Sequence, residues 1–257
     1  MATLLLIRHG RTTANSSGVL AGRTPGVELD EQGRAQAAAL GLRLAGLPLA
    51  AVVSSPLERT RQTAAAILDA RTPENTAPDA KPATGRARSR KAPEPVPLHL
   101  EERINECDYG DWAGRELKVL AKEPLWQVVQ GHPSAVTFPG GEPMTQMSAR
   151  AIQAVRDWND RLGPDATYAM VSHGDVIKAI VADALGMHLD LFQRIQADPC
   201  SVTVIRYTSM RPFLLRINDT DNPVGTLIPP VRRRQRASRR PDDGDAQIGG
   251  GAGTAST

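Results

Sequence analysis

The chain is poor in cysteine and has no long apolar run. Its 257 residues include two cysteines, Cys107 and Cys200, which are too few for a disulfide framework, so we expect a reducing cytoplasm. No apolar segment is long enough to cross a membrane, and the N-terminus lacks the basic region and cleavage site of a signal peptide. A chain of this length can bury a good core, as one large α/β domain or two small ones.

The excess of positive charge is small and localised. The net charge is +3, residues 222–257 sum to +3, and residues 71–95 also sum to +3. The remainder of the chain is therefore near −3. Because the basic residues are concentrated in two segments poor in apolar side chains, a dedicated nucleic-acid-binding face is not expected.

Those two segments are also predicted to be disordered from their composition. Residues 71–97 are rich in Pro, Ala and Arg with almost no large apolar side chain, which predicts a disordered insertion. Residues 221–257 are Pro/Arg-rich and then Gly/Ala-rich, which predicts a disordered tail. The domain is therefore expected to span 1–220, with the insertion inside it.

Within that domain, short apolar runs alternate with segments of helical periodicity. Residues 4–7 and 49–53 have the length and composition of strands. Asp30 is a candidate N-cap for the helix that follows the first strand. Ser54-Ser55-Pro56 predicts that the next helix begins there, with a serine cap and proline in the first turn. This alternation is typical of a parallel sheet covered by helices.

The second half of the chain continues the pattern. Residues 147–158 form an amphipathic helical pattern, 167–172 an apolar strand and 175–186 a largely apolar helix. Residues 201–207 and 213–217 alternate like two strands of an antiparallel hairpin.

Four polar motifs stand in fixed order among these elements. They are RHG at 8–10, SSPLER at 54–59, INECDYGDWAG at 104–114 and VSHG at 171–174. Together they resemble the histidine phosphatase superfamily, the phosphoglycerate mutase-like proteins, over residues 3–220. The resemblance implies an α/β fold: a three-layer αβα sandwich with a central, mostly parallel sheet.

The residue types suit chemistry on a phosphate monoester. Arginine binds phosphate bidentately and stays charged, so Arg8 and Arg59 are the candidate phosphate ligands. Neutral imidazole is available near pH 7 and can attack phosphorus. By the resemblance, His9 is this nucleophile, and His173 donates a hydrogen bond to the phosphoryl oxygens.

The resemblance also implies a proton donor and a further phosphate ligand. Glu106 matches the position of the donor in the family's phosphatases, with Asp108 as the alternative. Asn15 matches the asparagine of the family's RHGxTxxN pattern, where it helps to hold phosphate. The other histidines, His99 among them, fit no motif and are expected to be structural or surface residues.

These residues predict an enzyme that needs no cofactor. Two histidines and a carboxylate could bind zinc, but the neighbouring arginines argue against a metal. Residues 16–27 and 104–114 depart from the longer, aromatic-bearing signatures of the family's mutases, which favours a phosphatase of the phosphohistidine type. A mutase and a non-catalytic interaction protein remain alternatives. The expected partner is a small phosphorylated metabolite, and a homodimer is left open.

Overall fold

The computed structural model describes residues 2–71 and 95–221. Most of the predicted insertion (72–94) and almost all of the predicted tail (222–257) lie outside the described residues, so both remain predictions. In the described parts of the chain, no helix is long and apolar enough to cross a membrane.

A six-stranded sheet forms the centre of the molecule. Its strands are β1 (Ala2–Arg8), β2 (Val52–Ser54), β3 (Leu98–Leu100), β4 (Thr167–Ser172), β5 (Val202–Tyr207) and β6 (Pro212–Asp219). The spatial order is β3-β2-β4-β1-β5-β6. The first four are mutually parallel, whereas β5 and β6 are antiparallel to their neighbours. The predicted, mostly parallel sheet and its C-terminal hairpin are confirmed.

Seven α-helices accompany the sheet within the described residues. They are α1 (Thr13–Ser17), α2 (Glu31–Leu44), α3 (Glu58–Asp69), α4 (Leu117–Leu120), α5 (Pro124–Gly131), α6 (Met144–Leu162) and α7 (Gly174–Ala184). Short 3₁₀ turns lie at Glu102–Ile104, Gly110–Trp112, Pro133–Ala135 and Leu189–Arg194.

The side chains of the sheet alternate between two apolar layers. In β1, Leu4 and Leu6 pack into a core that includes α6 and α7, whereas Leu5 and Ile7 pack with α2 and α3. All four side chains are at most 1% exposed. Because successive residues of a strand point to opposite faces, this continuous apolar run covers both sides of a central strand. The three-layer αβα prediction is confirmed.

The predicted start of the third helix is wrong. Ser54 is the last residue of β2, and α3 begins only at Glu58, with Leu57 as an N-cap that makes no side-chain hydrogen bond. The Ser54 hydroxyl instead donates to the Ser55 carbonyl oxygen at 2.8 Å. The Ser55 hydroxyl is held by a distant histidine, so neither serine is free to cap the helix.

The N-terminus of α2 packs directly on the turn that follows β1. Asp30 caps this helix as predicted, its Oδ1 accepting from the Gly33 N–H at 2.7 Å. A Cβ atom at Gly33 would lie 1.9 Å from the Arg11 carbonyl oxygen. Only glycine allows this approach, which fixes the residues after β1 against the helix.

Candidate active site

The predicted site residues meet where the parallel strands end. His9 directly follows β1 and His173 directly follows β4, and these two strands are neighbours in register. Arg59 lies in the first turn of α3, just after β2. Because carboxyl ends of parallel strands share one edge of the sheet, ligands usually bind in the crevice there. The structure forms that crevice as a cavity of about 350 Å³.

His9 is oriented by the backbone beside it. Its Nδ1 lies 2.7 Å from the Gly10 carbonyl oxygen. A carbonyl oxygen only accepts, so Nδ1 carries the hydrogen and Nε2 keeps its lone pair. Burial, and then the charges of Arg59 and Arg8, hold the pKa of His9 well below its usual value. A neutral imidazole with a free Nε2 is the form that can act as a nucleophile.

His173 is completely buried beside His9, with their ring centroids 5.3 Å apart. Its Nε2 lies 2.7 Å from the Ser55 hydroxyl. Burial, and then Arg59, lower the pKa of His173 well below its usual value. When Ser55 donates to Nε2 of the neutral ring, the hydrogen lies on Nδ1, which makes no hydrogen bond to any described residue. His173 can therefore offer Nδ1–H to a bound anion.

Arg8 and Arg59 each use one nitrogen to anchor the side chain. Arg8 Nη1 donates to the Ala197 carbonyl oxygen at 2.8 Å, and Arg59 Nη2 donates to the Gly22 carbonyl oxygen at 2.7 Å. Arg8 Nε and Arg59 Nη1 are buried and have no hydrogen-bond partner among the described residues. A buried polar group without a partner is costly unless a ligand satisfies it. These donors therefore point to an anion-binding pocket.

Glu106 and Asp108, the two candidate proton donors, have different surroundings. Glu106 lines the cavity, with a side chain 12% exposed and Oε2 3.9 Å from His173 Nδ1. The side chain of Asp108 is 43% exposed, and its carboxylate faces Arg23 at 3.6 Å outside the cavity lining. Burial, and then the charge of Asp175, raise the pKa of Glu106 to about 7. A carboxyl group protonated near neutral pH suits a general acid.

An ionic frame formed by Arg23, Glu142 and Arg150 holds the backbone of Glu106. The Glu106 carbonyl oxygen accepts from Arg23 Nε at 2.8 Å and from Arg150 Nη2 at 3.0 Å. Both guanidinium groups also bind Glu142 Oε1, at 2.8 and 2.6 Å. The sequence assigned no role to Arg150 or Glu142, because their pairing joins separate loops and α6 through space.

Asn15 lines the cavity but has a structural bond of its own. Its Oδ1 accepts from the Thr12 backbone N–H at 3.1 Å and from the Thr12 hydroxyl at 3.0 Å. This capping box fixes α1. The Nδ2 group makes no hydrogen bond to any described residue, so a donor remains for a ligand. Its predicted role in holding phosphate stays a prediction.

Sequence reasoning missed Asp175 and Lys178. Both line the cavity from the start of α7, Asp175 in its first turn and Lys178 in its second. Asp175 accepts from the Tyr109 hydroxyl at 2.8 Å. The signal that could have found them is their position, since the first turn of a helix at the carboxyl end of a strand faces the same crevice.

The remaining histidines lie away from this site. His99 packs on Trp158, with ring centroids 5.0 Å apart. His132 and His188 are largely exposed beside Asp190. Within residues 2–71 and 95–221, no group of three or more His, Cys, Asp and Glu residues could hold a metal ion. Metal independence remains a prediction for experiment.

Known proteins share this arrangement of elements. The family model of the histidine phosphatase superfamily (branch 1) matches residues 4–81 and 83–220. Phosphoserine phosphatase 1 of Hydrogenobacter thermophilus is 29% identical over 227 residues, which cover 86% of this chain and 93% of that protein. A probable phosphoglycerate mutase, GpmB of Erwinia tasmaniensis, is 29% identical over 206 residues, covering 79% of this chain and 84% of that one.

Among solved structures, YhfR of Bacillus stearothermophilus superposes with a TM-score of 0.73 at 26% identity, covering 86% of this chain and 98% of that one. The residues that the family model matches include parts of all six strands of the described sheet and the site at its edge. The chain belongs to branch 1 of the histidine phosphatase superfamily.

Proposed function

We propose that the chain is a phosphomonoesterase that works through a phosphohistidine on His9. The observation that carries the proposal is the set of buried nitrogen atoms without partners among the described residues: Arg8 Nε, Arg59 Nη1 and His173 Nδ1. His9, a neutral imidazole whose Nε2 is free, lines the same cavity as the two arginines, and its ring lies 5.3 Å from that of His173. A phosphoryl group placed there would satisfy these donors as charge builds on its oxygens.

In the first step, Nε2 of His9 attacks phosphorus and the bond from phosphorus to the ester oxygen breaks. Glu106 gives its proton to the departing oxygen, so the alcohol leaves neutral. In the second step, the Glu106 carboxylate takes a proton from water, and the water oxygen attacks phosphorus. The bond from phosphorus to Nε2 breaks, which releases inorganic phosphate and restores both residues.

A single-turnover quench with a substrate labelled in its phosphoryl group tests this mechanism. Wild type should form an acid-labile, base-stable phosphoprotein, and His9→Ala should form none. His99→Ala is the matched control, because His99 lies away from the cavity, and it should be labelled like wild type. Labelling of His9→Ala, or no labelling of wild type, would refute the proposal. EDTA should leave the rate unchanged.

Phosphoglycerate mutase chemistry needs a separate assay, since a probable mutase is among the relatives. A mutase must shield its phosphohistidine from water, whereas Glu106 faces a cavity open to solvent. We expect no conversion of 3- to 2-phosphoglycerate in an enolase-coupled assay with 2,3-bisphosphoglycerate. Efficient conversion without phosphate release would favour the mutase.

The proposal extends to the domain limits, the compartment and the substrate class of the enzyme. We propose residues 1–220 as the phosphatase domain, the cytoplasm as its compartment and a small phosphorylated metabolite as its substrate. Association into a homodimer is open to test, because the edge strands β3 and β6 expose Leu98, Leu100 and Ile217. Sedimentation equilibrium would measure it directly.

A further inference from the structure

The cavity extends well beyond the space around His9. Its volume of about 350 Å³ lies within the range of pockets that hold whole small-molecule ligands, about 300–1,000 Å³. Arg8, His9 and Arg59 form one part of its lining. The rest of the lining, here called the outer part, must accommodate the alcohol part of an ester, so it indicates which alcohol fits.

One wall of this outer part is apolar. Val19, Leu20 and Leu117 line it, with the rings of Trp112 and Trp126 alongside. Leu117 is 37% exposed. A large apolar side chain exposed at the mouth of a pocket gains free energy when an apolar ligand covers it.

Backbone hydrogen bonds hold that wall in place. The Leu20 N–H donates to the Arg115 carbonyl oxygen at 2.9 Å, and the Leu117 N–H donates to the Gly18 carbonyl oxygen at 2.8 Å. The Trp112 ring packs against Phe138 at 5.5 Å and Trp126 at 6.1 Å between centroids. The wall is therefore built before any ligand arrives, and binding costs little ordering.

The polar side of the outer cavity does not favour a second anion. Its cation, Lys178, already contacts Gln193 Oε1 at 3.1 Å and Asp175 Oδ1 at 3.5 Å. Asp175 and Glu106 both line the same space. Because Glu106 is protonated when the ester binds, a carboxylate on the alcohol would meet the negative charge of Asp175 and a lysine that is already engaged.

We infer that the site takes phosphate monoesters of uncharged, apolar alcohols in preference to those of small carboxylated alcohols. This inference rests on the proposed function and narrows its substrate class. The phosphate would lie on the arginine and histidine donors, and the alcohol chain would lie along Leu20 and Leu117.

Paired alkyl esters test the preference without changing the chemistry of the leaving group. Hexyl phosphate, O-phosphoserine and 3-phosphoglycerate are all esters of primary alcohols, and 4-nitrophenyl phosphate serves as the general activity probe. For the full chain we expect kcat/KM for hexyl phosphate to exceed that for either carboxylated ester by about tenfold or more. Equal values, or a preference for a carboxylated ester, would overturn the inference and leave the proposed function intact.

Two variants on α4 test whether Leu117 contributes to the preference for hexyl phosphate. Leu117→Ala should lower kcat/KM for hexyl phosphate by about 5- to 10-fold, the effect of losing one or two methylene contacts, with little change for O-phosphoserine. Val119→Ala is the matched control, because Val119 is 41% exposed but does not line the cavity. Equal effects of both variants would refute the apolar wall. Failure to hydrolyse any ester, 4-nitrophenyl phosphate included, would overturn both proposals.

Discussion

At the scale of single residues, Glu106 lines the cavity and Asp108 does not. Glu106→Gln should lower kcat for alkyl esters by about 10²–10⁴. With 4-nitrophenyl phosphate, whose leaving group needs no proton, the first step should persist. The phosphohistidine should then accumulate, because no carboxylate remains at position 106 to take a proton from the attacking water.

The control for that experiment is Asp108→Asn, which changes a carboxylate outside the cavity. It should keep kcat within a few-fold of wild type and trap no intermediate in a rapid quench. If Asp108→Asn accumulated the phosphohistidine while Glu106→Gln turned over normally, Asp108 would be the proton donor instead of Glu106.

The charge of Asp175 should set the pH dependence of the reaction. Glu106 must be protonated to act as the acid, so kcat/KM should fall as pH rises through its pKa of about 7. Asp175 raises that pKa because a nearby negative charge disfavours the carboxylate. Asp175→Asn should therefore move the falling limb to lower pH, by about one unit or less.

The comparison for Asp175→Asn is Asp183→Asn on the same helix. Asp183 pairs with Arg156 at 3.5 Å and is not among the charges that shift Glu106. The pH profiles of kcat/KM are measured with the same ester for both variants, so the ionisation of the substrate affects both profiles equally. A limb that stays in place in Asp175→Asn, or moves equally in both variants, would contradict the electrostatic role.

At the scale of elements, Arg150 joins α6 to the segment that carries Glu106. Besides Glu142, it donates from Nη1 to the carbonyl oxygens of Arg103 at 2.7 Å and Asn105 at 2.8 Å. Arg150→Met should reduce the free energy of unfolding by about 3 kcal/mol, because a buried carboxylate loses a partner and carbonyl groups lose their donors. Urea denaturation measures the loss, and kcat should fall as Glu106 shifts.

Arg156→Met is the control on the same helix. The side chain of Arg156 is 61% exposed and makes one long ion pair with Asp183. Its removal should change the free energy of unfolding by no more than about 0.5 kcal/mol. If Arg150→Met and Arg156→Met reduce the free energy of unfolding equally, the frame around Glu142 does not stabilise the segment that carries Glu106.

Elements with a local signal were predicted well, and those fixed by distant partners were not. Strand β4 ends at Ser172 as predicted, since a β-branched and apolar run is flanked by polar residues. The predicted start of α3 was wrong, because Ser55 looks like a cap in sequence but its hydroxyl contacts His173, which follows β4. No window of sequence contains both residues.

At the scale of the whole molecule, all six strands of the described sheet lie before residue 221, within Ala2–Asp219. We expect a chain ending at Asp221 to keep kcat/KM for 4-nitrophenyl phosphate within about twofold of the full chain. Its free energy of unfolding should change by about 1 kcal/mol or less. A large loss of either quantity would mean that residues 222–257 belong to the working enzyme.

A shorter truncation provides the contrast. A chain ending at Tyr207 lacks β6, which pairs along β5, and β5 in turn pairs with the central strand β1. We expect this shorter chain to lose cooperative unfolding, because β5 loses its backbone hydrogen bonds to β6 and becomes an uncovered edge of the sheet.

The sequence by itself determined the order of strands and helices along the chain and the residue types proposed to bind phosphate. Periodicity is local, and the motifs after β1, β2 and β4 carry their chemistry in consecutive residues. The tertiary structure alone decided the tautomer of His9, the choice of Glu106 over Asp108 as the group facing the cavity, and the frame around Glu142. The first depends on the local backbone conformation, and the other two depend on burial and on atoms brought together from distant positions, none of which has a signature in a linear chain.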